Sequence, residues 1–207
     1  MSVEIKYLNV GPWKENTYCI ISNNEAWLID PGDEFDLLKK TFEVDSLNIK
    51  GILTTHGHFD HIGAVYEFQQ EFNLPFYIHS KDKKILHQAN LYCKLAGSDK
   101  IIKTPEIHGF IDNFEKFDLN NKSIFIHHTP GHSSGSVCFE LDNNLISGDL
   151  FFKDNIGRTD LPGGNASLLK NSIEYVIKNF ENYNIYPGHG DPFIIDSSVI
   201  SNLRKRL

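Results

Sequence analysis

The sequence has few cysteines, little clustered positive charge and no long apolar run, and each absence excludes a class of protein. Its three cysteines, Cys19, Cys93 and Cys138, are an odd number, lie far apart and include no Cys-x-x-Cys pair. Because a disulfide framework needs paired cysteines, this pattern favours a reducing, cytoplasmic setting. Cys19 and Cys138 lie in strand-like runs and are expected to be small core residues, whereas Cys93 has no assignable role.

Positive charge is scarce, and the formal net charge at pH 7 is −7. The short basic run 204–206 lies at the end of the chain, where positive charge suits the C-terminus of a helix. Binding to a phosphate backbone needs clustered lysine and arginine, so nucleic acid is not an expected partner.

No apolar stretch is long enough to cross a bilayer, and the first residues lack the basic and apolar segments of a secretory signal. We therefore expect no membrane association and a cytoplasmic location. Hydrophobic residues make up 40% of the sequence and charged residues 23%, as in ordinary globular proteins. The length of 207 residues predicts one domain over residues 1–207.

Histidine is concentrated in one short segment, residues 55–61, which reads Thr-His-Gly-His-Phe-Asp-His and follows an apolar run. His56 and His58 are two positions apart, so in an extended chain both side chains point the same way. Asp60 and His61 fall where the next helix is expected to begin. Two of these four side chains can therefore bind one metal ion, and the other two can bind a second. Imidazole and carboxylate suit Zn²⁺ first, with Fe²⁺ or Mn²⁺ as alternatives.

Further donors follow later strands of the sequence. His132 comes after a Pro-Gly turn, Asp149 after a Ser-Gly pair at a strand end, and His189 after another Pro-Gly turn. Loops after strands are where ligands usually lie. Asp30 also ends a strand, and it can either cap the following turn or orient a metal ligand through a hydrogen bond. His79 and His87 have no donor neighbours at ligand spacing and are expected to be surface or satisfied polar histidines. His127 and His128 continue a strand alternation and are expected to be structural, whereas His108 has no assignable role.

Apolar periodicity predicts alternating strands and helices. Strands are expected at 3–7, 17–21, 26–29, 51–54, 76–78, 114–126, 137–141, 145–146 and 185–186. Helices are expected at 33–44, 60–74, 80–97, 165–180 and 197–206. Residues 98–112 show no readable pattern. This order predicts an α/β protein in which two mixed β-sheets pack together, with helices outside and the metal donors at one edge.

The motifs at 55–61, 130–132, 147–149 and 187–189, in this order, resemble those of the metallo-β-lactamase-fold hydrolases. The resemblance spans nearly the whole chain and implies an αββα sandwich. Within the superfamily the chain looks most like the glyoxalase II group, the hydroxyacylglutathione hydrolases, and their short bacterial relatives. The implied metal ligands form two sites joined by one bridging residue: His56, His58 and His132; Asp60, His61 and His189; and Asp149 between them.

Two departures from the pattern of this superfamily bear on which substrate is expected. Asp149 stands where the best-known true β-lactamases carry a cysteine ligand and no export signal is seen, so antibiotic degradation is not expected. Full-length glyoxalase II continues into a helical domain that helps to bind glutathione, whereas this chain ends soon after His189. Glutathione recognition would then depend on the loop containing Lys153 and Arg158. By the resemblance Arg158 holds a substrate carboxylate; the alternative is a salt bridge to Asp160 or Asp154.

The resemblance implies a thioester hydrolase acting on S-(2-hydroxyacyl)glutathione-type small molecules. A hydroxide bridging two divalent metal ions, zinc first and iron or manganese next, would attack the thioester carbonyl. Asp60 would help to orient that hydroxide, and Asp149 would bridge the ions. No serine or cysteine nucleophile is required.

Three alternatives remain open. Persulfide dioxygenases share the fold and the Gly-Arg-Thr-Asp run at 157–160, and they would use a single iron held by His56, His132 and Asp149. A second alternative is a metal-binding interaction module without turnover. A third is hydrolysis of lactones or phosphodiesters. The acyl group, the thiol carrier and the oligomeric state are not predicted.

Overall fold

The computed structural model describes residues 3–207, and most of its strands belong to two six-stranded sheets. The first sheet has the order β1-β2-β3-β4-β5-β6, antiparallel from β1 to β3 and parallel from β3 to β6. Its strands are β1 (Glu4–Val10), β2 (Glu15–Ser22), β3 (Glu25–Ile29), β4 (Asn48–Leu53), β5 (Phe76–Ile78) and β6 (Gly109–Phe110).

The remaining strands are β7 (Lys116–Leu119), β8 (Lys122–His128), β9 (Val137–Leu141), β10 (Asn144–Gly148), β11 (Phe151–Phe152), β12 (Asn155–Ile156), β13 (Asn184–Pro187) and β14 (Phe193–Ile194). The second sheet has the order β14-β13-β10-β9-β8-β7, and only its β10–β13 pair is parallel. Strands β11 and β12 form a separate short hairpin that was not predicted.

Within the described residues, seven α-helices accompany the sheets: α1 (Phe35–Thr41), α2 (Phe59–Ile62), α3 (Val65–Phe72), α4 (Lys83–His87), α5 (Ala89–Leu95), α6 (Ala166–Asn179) and α7 (Ser197–Arg204). Asn165 caps α6 by accepting a hydrogen bond from the Leu168 N–H, and Asp196 caps α7 by accepting one from the Val199 N–H. Among the described residues, no helix is both long and apolar enough to cross a membrane.

Successive side chains of the central strands point to opposite faces of their sheet and so contribute to different layers of the fold. In β2, Tyr18 and Ile20 belong to the core between the sheets, whereas Cys19 and Ile21 pack on the opposite face, against a cluster that includes α1 and α3. In β9, Phe139 faces the inter-sheet core, while its neighbour Cys138 packs with residues of α6 and α7. Each sheet is therefore covered on both faces, which produces the predicted αββα sandwich.

The cysteine prediction is confirmed for the two strand cysteines. Cys19 and Cys138 are fully buried in the core, and burial raises the pKa of each thiol to about 12. Cys93, which had no assigned place, is also free and buried, and it lies in α5.

Three predicted helices are shorter than expected. The helix expected over 60–74 is interrupted between Ile62 and Val65, where the Ala64 N–H donates to the Pro31 carbonyl of the neighbouring loop at 2.9 Å instead of continuing the helix. The region 80–97 forms a 3₁₀ turn (Ser80–Asp82) followed by α4 and α5. In the region 33–44, α1 ends at Thr41, and Glu43 takes a left-handed conformation with φ of 54°.

Candidate metal centre

The histidine-rich segment extends from the end of β4 into α2. His56 and His58 lie in the extended part, while Asp60 and His61 lie in α2, as the spacing predicts. Backbone hydrogen bonds hold the segment: the Thr55 N–H donates to Asp30 Oδ1 at 2.6 Å, and the Thr55 carbonyl accepts from the Val137 N–H at 2.9 Å. The first half of the site is thereby attached to both sheets.

The other predicted donors come from the second sheet. His132 lies between β8 and β9, Asp149 directly follows β10, and His189 lies two residues beyond β13. Because β10 and β13 are parallel neighbours, their carboxyl ends meet at the same edge. The Gly188 N–H donates to the Gly148 carbonyl at 2.8 Å and keeps the two loops together.

The structure brings the seven predicted ligands into one cluster. Within three overlapping groups the donor atoms lie within 4.8 Å of one another: His56, His58 and His132; His56, His61 and Asp149; and Asp60, His61 and His189.

Asp149 lies between the first and the last of these groups. Its Oδ1 is 3.6 Å from His61 Nε2, and its Oδ2 is 3.6 Å from both His132 Nε2 and His189 Nε2. One carboxylate therefore contacts members of both proposed sites.

The cluster has the chemistry that a divalent cation needs. His56 Nε2, His61 Nε2 and Asp149 Oδ1 are buried and have no hydrogen-bond partner. Leaving such an atom unpaired costs about 1–3 kcal/mol, and coordination to a cation would supply the missing partner. His58 Nδ1 and His132 Nε2 are only 2.9 Å apart and converge on the same position. Five imidazoles and two carboxylates thus fit divalent metal ions.

Hydrogen bonds on the far side of the imidazoles fix their orientation. The Nδ1–H groups of His132 and His189 donate to the carbonyls of Arg158 and Trp13, at 2.8 and 3.0 Å. Their Nε2 atoms face the cluster, where they can act as metal ligands. His56 Nδ1 lies 3.0 Å from Thr55 Oγ1, whose hydroxyl can accept its hydrogen bond.

Of the two roles left open for Asp30, the structure shows the orienting one. Its Oδ2 accepts hydrogen bonds from His61 Nδ1 at 2.9 Å and from Thr55 Oγ1 at 2.6 Å. The Asp30 side chain is fully buried. Asp30 therefore fixes His61 directly and supports the hydroxyl that contacts His56.

Burial and neighbouring charges shift the pKa values in the cluster. Burial, with the positive charges of neighbouring histidines, lowers the pKa of His56 well below its usual value and that of His58 to about 3. Both imidazoles are therefore neutral at pH 7, the form that binds metal. Burial alone would lower the pKa of His61, but the carboxylates of Asp149 and Asp30 outweigh it and raise that pKa. The carboxylates thus create a site that favours positive charge.

Two buried carboxyl groups at the site were missed by the sequence analysis. Asp82 Oδ2 accepts hydrogen bonds from the Gly57 N–H at 2.9 Å and from Ser133 Oγ at 2.6 Å, and Oδ1 accepts from the Gly135 N–H at 2.7 Å. It ties the His56–His58 loop to the His132 loop. Glu15 Oε1 lies 3.7 Å from His61 Nδ1, and burial raises the pKa of Glu15 well above its usual value. Neither residue lies in a donor-rich motif; the only sequence signal for Asp82 was its position just after β5.

A cavity of about 650 Å³ opens above the cluster. Its floor contains five of the predicted ligands: His58, Asp60, His132, Asp149 and His189. Its walls are mostly apolar: Trp13, Phe59, Tyr92, Leu95, Ala96, Phe152, Ile156, Leu161 and Pro162. Asn155 and Arg158 complete the lining. The cluster is therefore accessible to a small molecule.

Of the two predicted substrate-binding residues, Arg158 lines the cavity, and its guanidinium forms two 2.7 Å hydrogen bonds with Asp160. The salt bridge that the sequence left open is therefore formed, and hydrogen bonding from Arg158 lowers the pKa of Asp160 to about 2. Lys153 is exposed in the β11–β12 turn, outside the described residues that line the cavity. The role of either residue in substrate binding stays a prediction.

The remaining histidines lie outside the cluster. His79 is buried, stacks on His128 at 4.4 Å and accepts a hydrogen bond from the Lys81 N–H, so it is satisfied as expected. His127 bonds to Glu140 and Tyr175 on the outside of the second sheet. His87 and His108 are exposed.

Comparison with known proteins identifies the family. The model of the metallo-beta-lactamase superfamily matches residues 10–189. The chain belongs to this superfamily. Its metallo-β-lactamase fold carries the His/Asp cluster at the edge where the two sheets meet, and the predicted fold and family are confirmed.

Curated relatives of this metallo-β-lactamase-fold chain are named as hydrolases. It is 36% identical over 186 residues to "Probable metallo-hydrolase YqgX" of Bacillus subtilis (strain 168), covering 87% of each chain. It is also 36% identical over 197 residues to "Probable metallo-hydrolase MJ0888" of Methanocaldococcus jannaschii, covering 89% of this chain and 91% of the other. These relatives and the cluster support a metallo-hydrolase.

Solved structures agree with this fold. The chain matches BLEG-1 B3 metallo-beta-lactamase with a TM-score of 0.84 and 34% identity, covering 93% of this chain and 94% of that one. It matches TTHA1623 in a di-iron-bound form with a TM-score of 0.81 and 32% identity, covering 92% and 94%. The match to ETHE1 from Myxococcus xanthus, at 21% identity, a TM-score of 0.69 and coverage of 93% and 80%, shows the fold alone.

Proposed function

We propose that this chain is a thioester hydrolase that uses two divalent metal ions. The observation that carries the proposal is the position of Asp149, which contacts His61, His132 and His189 on the floor of an open cavity. Among the described residues that line this cavity there is no serine, threonine or cysteine. We therefore take water as the nucleophile of the proposed hydrolysis.

Each proposed ion has its own ligands. His56, His58 and His132 would hold one, Asp60, His61 and His189 would hold the other, and Asp149 would contribute to both. Zinc is the first choice for this set of imidazoles and carboxylates, with iron or manganese as alternatives. The di-iron form of TTHA1623, a protein 32% identical to this chain, supports both the number of ions and the iron alternative.

Divalent cations held here supply Lewis acidity, which polarises a carbonyl group and lowers the pKa of a water molecule. Asp60 would accept a hydrogen bond from the attacking water and orient it, and its Oδ2 lies 3.4 Å from His189 Nε2. Burial would raise the pKa of Asp60, but the hydrogen bond from His189 and the charge of His61 outweigh it and lower that pKa. Asp60 is therefore ionised at neutral pH. Trp13 and Phe59, in edge-to-face contact at 4.8 Å, exclude bulk water from one side.

The reaction is tested by following thiol release from S-lactoylglutathione, a 2-hydroxyacyl thioester, with metal-loaded protein. We expect His58→Ala to lower kcat/KM by more than about 100-fold, because loss of a ligand costs more than the 10–100-fold typical of its outer partners. The matched control is His87→Ala, which removes an exposed histidine of α4 and should leave the rate unchanged.

Two parallel assays identify the alternatives. Oxygen uptake with glutathione persulfide, without thiol release from any thioester, would overturn the proposal in favour of a persulfide dioxygenase, whose ligands His56, His132 and Asp149 are all in the cluster. Turnover of a chromogenic β-lactam alone would also overturn it; this assay is included because the 34%-identical BLEG-1 is a B3 metallo-beta-lactamase.

A further inference from the structure

The walls of the cavity differ sharply from its floor. Three separate segments supply the apolar side chains: Trp13 and Phe59 beside the ligands, Tyr92 to Ala96 of α5 and the residue after it, and the segment from Phe152 to Pro162. Apolar groups on opposite sides of a cleft favour an apolar ligand between them, since both surfaces then leave water.

Leu95 is the most informative wall residue. It is 74% exposed although it lines the cavity, whereas Leu91, one turn earlier on α5, is 53% exposed and lies outside the lining. A bound apolar group would cover Leu95. Helix α5 therefore provides one leucine that lines the cavity, Leu95, and one that does not, Leu91, which serves as the control.

Charged groups in the cavity are confined to its floor and to one residue of its walls. Of the described residues in its lining, Arg158 is the one lysine or arginine, and Asp160 binds the Nε–Nη2 edge of its guanidinium. Asp60 and Asp149 lie at the floor, where bound metal ions would offset their negative charge. The part of a substrate that lies along the walls therefore contacts mostly apolar side chains, and a carboxylate placed there would lose its hydration.

We propose that this cavity selects substrates carrying an uncharged aliphatic or aromatic group next to the scissile bond, with Leu95 and Tyr92 as specificity-determining residues. This inference rests on the proposed hydrolase function and names the substrate class of the same site. It places S-lactoylglutathione, with its charged peptide, among the poorer thioester substrates.

The test is a series of N-acetylcysteamine thioesters with acetyl, butyryl, hexanoyl, phenylacetyl and succinyl groups, hydrolysed by metal-loaded protein. We expect kcat/KM to rise about fourfold per added methylene up to hexanoyl, and succinyl to fall below butyryl. A second series, acetyl thioesters of ethanethiol, butanethiol and glutathione, shows whether the apolar group belongs to the acyl or to the thiol side. A rise in either series supports the proposal.

Two matched variants assign the effect to the wall. Leu95→Ser should reduce the ratio of hexanoyl to acetyl kcat/KM at least about threefold, since it removes one apolar contact surface. Leu91→Ser should leave this ratio unchanged. Equal rates across both series, a preference for succinyl, or the same change of ratio in both variants would overturn the proposal.

A binding measurement separates this inference from the proposed reaction. If no thioester is hydrolysed, the hydrolase proposal fails, but the apolar cavity can still be tested by titrating hexanamide and acetamide and following the fluorescence of Trp13. Trp27 is buried in the inter-sheet core and contributes a constant background. Tighter binding of hexanamide that weakens in Leu95→Ser supports the cavity assignment; equal binding of the two amides contradicts it.

Discussion

Asp82 shows how a single carboxylate can hold two metal-binding loops together. It is fully buried, and its two oxygens accept three hydrogen bonds, one from the His56–His58 loop and two from the loop that follows His132. A Cβ on Gly135 would come within 2.7 Å of its oxygen, so the loop approaches the carboxylate too closely for a larger residue. Asp82 is thus a positioning residue that acts through His58 and His132.

Replacing Asp82 by Asn should weaken metal binding about 10- to 100-fold, the range typical of residues that support metal ligands. The amide keeps one acceptor oxygen and directs an NH₂ group at donors that need an acceptor. Metal affinity is measured by competition with a chromogenic chelator. The control is Asp112→Asn, which removes a carboxylate that bonds to Ser80 at the protein surface. Equal affinities in the two variants would show that Asp82 does not position the ligands.

The residues predicted from sequence are those whose position follows from local spacing. His56, His58, Asp60 and His61 lie within one short segment, and His132, Asp149 and His189 each follow a strand. Asp82 could not be predicted in this way, because its partners lie in loops far away in sequence. The pairing of Arg158 with Asp160 remained open for a different reason: spacing allowed both a salt bridge and a free guanidinium.

At the scale of elements, the loop after β13 passes very close to Asp149 and His61. A Cβ on Gly188 would overlap Asp149 Oδ1 and lie 2.8 Å from His61 Cε1. Glycine at this position therefore lets His189 reach the cluster without displacing the carboxylate. Tyr18 Oη and Asn16 Nδ2 both donate to the Pro187 carbonyl just before it and fix the loop to β2.

Gly188→Ala should displace Asp149 and lower the bound metal from two ions per chain towards one, with loss of thiol release. Gly190→Ala is the control, because a Cβ there meets nothing within 4 Å. Gly190 has a φ of 80°, so this control costs about 1 kcal/mol of stability but leaves the ligands in place. The measurement is the metal content per chain of both folded variants by elemental analysis. Full metal occupancy in Gly188→Ala would contradict the role given to this glycine.

Element prediction succeeded where periodicity was strong and failed where tertiary contacts overrode it. The strands that contribute to the inter-sheet core could be recognised from the sequence, because their residues are apolar on both faces. At the break between α2 and α3 the Ala64 N–H bonds to the Pro31 carbonyl of a distant loop, which no local pattern reveals. The walls formed by Tyr92 and Leu95 were likewise unpredicted, because exposure and cavity shape depend on how α5 packs.

At the scale of the whole molecule, the metal centre joins the two sheets. Its first ligands follow β4 of one sheet, and His132, Asp149 and His189 follow strands of the other. The inter-sheet core, which includes Tyr18, does not depend on the metal. The sandwich should therefore keep its fold without metal but be less stable.

Removing the metal should lower the melting temperature by roughly 8–16 °C. A ligand present at 1,000 times its Kd stabilises a protein by about 4 kcal/mol, and each kcal/mol shifts the melting temperature of a chain of this size by roughly 2–4 °C. The measurement is calorimetry before and after chelation, with zinc added back to restore the original value. The double variant His58→Ala/His189→Ala, which lacks a ligand of each proposed ion, should show a much smaller change on chelation. A wild-type melting temperature insensitive to chelation would contradict a metal centre between the sheets.

The cluster at the edge of the two sheets is proposed to hold two divalent ions that serve a hydrolytic reaction. This proposal is tested most directly by elemental analysis of protein purified without oxygen, with the metal content expressed per chain. We predict two divalent ions per chain in the wild type and one in His189→Ala, which keeps His56, His58 and His132 intact. A single iron per chain in the wild type, with His189→Ala unchanged, would contradict the account and indicate the mononuclear alternative.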